Sequence, residues 1–73
     1  MTQCERILKY IDDFGSINPL EAMVDLGIMR LAARIGDLKK EGYPIRRKMV
    51  AGKNRYGETI CFAEYRMEDH HAQ

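Results

Sequence analysis

Helix start and stop signals cut this chain into segments too short for anything but a bundle of small elements. Thr2, followed three residues later by Glu5, is a capping box that opens a helix. Gly15 supplies a left-handed stop. Asn18-Pro19-Leu20-Glu21 is a second start: an N-cap, a proline in the first turn and an acid at the third position. Gly27 ends that helix after about two turns, and Gly42 ends a third. Pro44 then forbids helix, and the composition turns to that of strands. The signals predict helices near residues 3–13, 19–25 and 29–41, then a hairpin near 44–50 and 58–67.

Apolar spacing assigns each segment an inner face. Cys4, Ile7, Leu8, Ile11 and Phe14 recur at helical intervals in the first helix. Leu20, Met23, Val24 and Leu26 are expected to look inward from the second, where Ala22 is small enough for a close helix approach. Ser16 and Ile17 form an extended link able to pair with the hairpin. Ile28, Leu31, Ile35 and Leu38 make the stripe of the third helix, and Gly36 there costs about 1 kcal/mol relative to alanine. Either a backbone approaches at Gly36 or the helix tolerates the loss. Gly52 to Gly57 reads as the hairpin loop. In the returning strand Cys61, Ala63, Tyr65 and Met67 share one face. Tyr10, Tyr43 and Tyr65 are expected in the core, as are Cys4 and Cys61. One domain is expected over residues 1–67, with a flexible tail at 68–73.

Composition removes several function classes. With 73 residues, the chain buries one small core and has little material for the walls of an enzymatic cleft. Its 45% apolar and 32% charged residues suit a folded domain. No apolar run reaches the roughly 18–20 residues that span a bilayer. MTQCERILKY lacks the features of a secretory leader, so a cytoplasmic location is expected. Two cysteines make no disulfide framework, and Cys4 and Cys61 with His70 and His71 lack metal-ligand spacing. Ser16 is the sole serine, and no phosphate-binding glycine loop is present. No enzymatic activity, cofactor or metal is expected.

The net charge of +1 conceals a strong partition. Residues 1–28 hold two cations against five acids, net −3; residues 58–73 hold one against four, also −3. Residues 29–57 hold nine cations against two acids, net +7. Such a block is the electrostatic footprint of a polyanion partner. On the third helix Arg30, Arg34 and Lys40 are long donors outside the apolar stripe, with Ala33 and Gly36 between them. Arg34 is also within reach of Asp37 or Glu41 on its own helix. Three roles are open to Asp37: accepting from a cytosine amino group, orienting an arginine, or marking the interface edge. The hairpin adds Arg46, Arg47, Lys48, Lys53, Asn54, Arg55 and Tyr56, with no acid between Gly42 and Gly57. Tyr56 is either a loop-packing residue or a phosphate donor. Strand alternation puts Arg46 and Lys48 on one face and Arg47 on the other.

The run GSINPLEAMVDLGIMRLAARIGDLKKEGYPI, preceded by ILKYI and followed by a basic hairpin ending in AEYRM, resembles the small winged helix-turn-helix domains of phages and other mobile elements. The resemblance spans about Cys4 to Met67 and is most specific over Leu26 to Ile35. It implies an α+β fold with a three-helix core and a C-terminal hairpin wing. It also implies a DNA-binding module with Arg30 and Arg34 at arginine positions of the recognition helix. Family members usually carry a polar residue where this chain has Gly36. The expected partner is double-stranded DNA, bound by a monomer or a weak homodimer that pairs on DNA. The expected role is that of a small transcriptional regulator or an architectural or excision factor. A protein-interaction module, acting as inhibitor or adaptor, is the alternative.

Overall fold

The computed structural model describes residues 1–68, arranged as three helices and an antiparallel hairpin in the order α1 (Gln3–Phe14), α2 (Pro19–Leu26), α3 (Leu31–Lys40), β1 (Ile45–Lys53) and β2 (Thr59–Met67). Residues 69–73, with His70 and His71 and most of the expected tail, lie outside this range. The Glu68 amide still donates to the Pro44 carbonyl at 2.7 Å.

Both sequence-coded helix starts close as reciprocal pairs. Thr2 Oγ1 accepts from the Glu5 amide at 3.1 Å, and Glu5 Oε1 accepts from the Thr2 amide at 2.7 Å. That backbone donor holds the Glu5 carboxyl below its ordinary pKa. Asn18 and Glu21 repeat the arrangement at 2.8 and 3.0 Å. The third start is different. Gly27 turns left-handed, the Ile28 amide reaches back to the Ala22 carbonyl, and the Ile28 side chain is buried. The chain must straighten before it can coil again, so α3 begins at Leu31 and not at Met29. Arg30 becomes its N-cap without a side-chain acceptor. At the other end the Gly42 amide bonds the Lys39 carbonyl and the Tyr43 amide the Leu38 carbonyl, which ends α3 at Lys40.

The core gathers Ile7, Tyr10 and Ile11 of α1, Ile17, Ala22, Ile28, the α3 residues Leu31, Ile35 and Leu38, and Ile45 and Tyr65 of the hairpin. Ile17 is tied to the free edge of β2 by two backbone bonds with Tyr65, at 2.9 and 2.8 Å. Tyr10 Oη donates to Asp25 Oδ2 at 2.6 Å, pinning α1 to the end of α2.

Several expected core residues are outside. Leu20 (65% exposed), Met23 and Val24 (69%) face outward, because α2 meets the core through Ala22 and, in part, Leu26. Phe14 is 71% exposed and lies against the Tyr10 ring, centroids 4.7 Å apart. Tyr43 is 38% exposed, because it is spent on the turn that caps α3. Cys61, opposite Ala51, lies beyond the reach of the core, whereas Cys4 packs partly against it.

β1 runs three residues further than expected. Gly52 pairs with Ile60 as strand, and the Phe62 ring lies over it; a Cβ there would meet Phe62 Cε1 at 3.0 Å. Only Ile45 of β1 and Tyr65 of β2 are buried. A nine-residue strand is about 30 Å long, so most of the hairpin projects from the helices. The radius of gyration of 12.9 Å exceeds the roughly 11 Å of a compact chain this size for that reason.

Candidate nucleic-acid interface

The outward side of α3 is fixed by what the helix buries. With Leu31, Ile35 and Leu38 inward, Ala33, Gly36 and Lys40 lie opposite and Asp37 and Arg34 follow round one flank. Arg34 Nε is 3.1 Å from Asp37 Oδ2, an ion pair between half-exposed side chains. The contact lies off the N–H axis, so the Nε hydrogen is left without a hydrogen bond. Such a surface pair is worth only about 0.3–0.5 kcal/mol and can be exchanged for a better acceptor. Of the roles open to Asp37, the geometry displays the orienting one. Arg30 is exposed in the turn before α3, and Lys40 is exposed in its last turn, beside the carbonyl end of the helix dipole. A Cβ on Gly36 would meet nothing within 4 Å, so no part of the protein approaches there.

At the far end of the hairpin, Asn54 holds the turn. Its Oδ1 accepts from the Tyr56 and Glu58 amides at 2.9 and 3.0 Å, and its Nδ2 donates to Glu58 Oε1 at 2.9 Å. The Gly57 amide closes onto the Asn54 carbonyl at 3.0 Å, with Gly57 at φ +79°, a value that favours glycine. These bonds carry Arg55 and Tyr56 to the apex, where Tyr56 is 84% exposed. Lys53 Nζ donates to Thr59 Oγ1 at 2.8 Å across the last pair of the ladder. The Asn54 side chain is therefore occupied within the turn, and Lys53, Arg55 and Tyr56 are the outward groups.

The remaining expected cations sit at the hairpin base. Arg47 is opposite Tyr65, on the face that carries Ile45 and Met67, whereas Arg46 and Lys48 are opposite Arg66 and Glu64 on the outer face. Arg66, flanked by acids in the sequence, is drawn into this group by the strand register. α2 carries no cation at all. The candidate residues thus form three groups: Arg30 at the N-cap of α3 with Arg34 and Lys40 on it, Lys53 to Tyr56 at the tip, and Arg46, Arg47 and Lys48 at the base.

A family model described as a winged helix-turn-helix domain matches residues 2–70. The chain belongs to that family. No curated protein and no solved structure shows a significant match to it. In winged-helix terms α2 and α3 are the helix-turn-helix pair, joined through Gly27, and the projecting hairpin is the wing. No helix among the described residues is long and apolar enough to cross a membrane. Among those residues no cluster of three or more His, Cys, Asp or Glu side chains could hold a metal.

Proposed function

We propose that this winged-helix domain binds double-stranded DNA, with α3 in the major groove and the wing tip on the backbone. The observation that carries this reading is the charge partition: the +7 block of residues 29–57 coincides with α3 and the wing, while α2 is free of cations. A major groove admits a helix, and its base edges distinguish all four base pairs. The small residues Ala33 and Gly36 let the α3 backbone come close, and Arg30, Arg34 and Lys40 supply donors around them. Arg34 exchanges Asp37 for a base or a phosphate. Lys53, Arg55 and Tyr56 contact phosphates or the minor groove, and Asn54 sets their geometry. The finer role, a small transcriptional regulator of a phage or mobile element, rests on the resemblance of Gly15 to Ile45 to such domains. The domain acts as a monomer or a weak homodimer that pairs on DNA.

The two groups of cations should fail differently when removed. Replacing Lys53 and Arg55 with alanine weakens binding to every duplex. It also flattens the dependence of log K on log salt by about 1.8, at 0.9 per phosphate contact. Replacing Arg30 or Arg34 reduces discrimination between target and random duplex, by about 1–3 kcal/mol for a bidentate contact to guanine. A gel-shift titration of the variants at two salt concentrations measures both effects. Helix variants that discriminate as the parent does would overturn the recognition role of α3. If no variant changes DNA affinity, the protein-interaction reading takes its place.

A further inference from the structure

The base of the wing carries more positive charge than its own strand pairing can use. Arg46 and Arg66 stand directly opposite each other across the ladder, and Lys48 is the next outer-face residue of β1. Like charges placed opposite one another disfavour a sheet. Lys48 opposes Glu64, but Glu64 lies 3.2 Å from Arg66 and makes its ion pair there. Among the described residues Arg46, Arg47 and Lys48 have no ion-pair partner at all. All four cations line one open basin of about 620 Å³ beside the end of α1, with Glu68 as the carboxylate at its margin. Lys53 lies seven residue steps along β1 from Arg46, about 23 Å at 3.3 Å per residue. One phosphate cannot touch both ends of the wing.

We propose that the base of the wing is a second, sequence-blind contact surface for the phosphates of duplex DNA, with Arg66 as a binding residue. This rests on the DNA-binding reading and extends it away from α3 and the wing tip. Phosphate oxygens arriving between Arg46 and Arg66 turn a repulsive cross-strand pair into two charge-assisted contacts. Guanidinium pairs suit that geometry, since each can offer two parallel N–H donors.

The test compares the parent with R46A/R66A, K53A/R55A and the combined variant. Anisotropy of a labelled random-sequence duplex is followed from 50 to 200 mM salt, and thermal melts are recorded without DNA. The expected result is a salt slope flatter by about 1.8 for R46A/R66A, adding to the similar loss in K53A/R55A. Without DNA the melting temperature of R46A/R66A should equal or exceed that of the parent, which separates lost contacts from lost folding. An unchanged slope and affinity in R46A/R66A, with a normal loss in K53A/R55A, overturns the second surface and leaves DNA binding standing. A parent that fails to bind the duplex overturns both. An NMR titration with inorganic phosphate forms a further arm. Saturable shifts at Arg46 and Arg66 with free phosphate, but none with duplex, would assign the basin to a small anion and overturn the DNA assignment.

Discussion

Gly36 lies in the interior of α3, where glycine is less favourable than alanine by about 0.8–1.0 kcal/mol. Such a residue is often excused by a close neighbour, but here an added Cβ meets nothing within 4 Å. Gly36→Ala therefore incurs no steric penalty and should stabilise the free protein by close to the full difference, about 1 kcal/mol. For a domain of this size that raises the melting temperature by about 4–8 °C. The same methyl group projects from the outward face between Ala33 and Lys40, where the DNA reading brings the α3 backbone near the groove. Affinity for a target duplex should fall while stability rises. Circular-dichroism melts give the first sign and anisotropy titrations the second. A melting temperature that stays level or drops would refute the open surroundings of Gly36. A variant that is more stable and binds DNA as well as the parent would refute the placement of that face against the groove.

Tyr10 offers a pH test. Its hydrogen bond to Asp25, with burial and the charges of Glu21 and Asp25 adding to it, pushes the phenol up to about 12 from 10. A folded-state pKa above the unfolded one means stability fully present below pH 10 and lost as pH rises toward 12. The parent's melting temperature should fall across that window faster than that of Tyr10→Phe, and parallel curves would contradict the assignment. Asn54→Ala removes the acceptor of two wing amides and should cost about 1 kcal/mol in this exposed turn. Hydrogen exchange at Tyr56 and Glu58 should accelerate while Ile35 and Leu38 stay protected; an unchanged wing would show that the ladder alone holds the turn. Ile7→Ala or Ile28→Ala empties a fully buried site and should cost about 2–5 kcal/mol. That is much of the stability of a chain this short, so loss of the cooperative melt is expected; a loss under 1 kcal/mol would contradict the core assignment.

The sequence made legible whatever was written in local chemistry. Thr2 with Glu5 and Asn18 with Glu21 name their helices because the capping groups lie within four residues of each other. Strand alternation puts Cys61, Ala63, Tyr65 and Met67 on one face for the same reason, and the last three of these meet the core. The start of α3 was not legible, since no side-chain acceptor occurs at Ile28 to Arg30 and the boundary is set by the plunge of Ile28 into the core. Periodicity shows which residues share a face but not whether the core reaches it, so Leu20, Met23 and Val24 read as core residues although they are exposed. Gly52 reads as loop until Phe62 is seen across the ladder. Arg66, isolated among acids in the chain, joins the basic cluster only through strand register. The cations of the candidate site could be read from composition, but their division into helix, tip and base required the fold.

Duplex binding by the parent protein as a function of salt tests the central claim most directly. Titration of a labelled duplex between 50 and 200 mM salt should give a straight line of log K against log salt. Contacts from Lys53, Arg55 and at least one α3 cation require a slope of about −2.7 or steeper, at 0.9 per phosphate. No detectable binding at 50 mM salt, or an affinity indifferent to salt, would contradict the account.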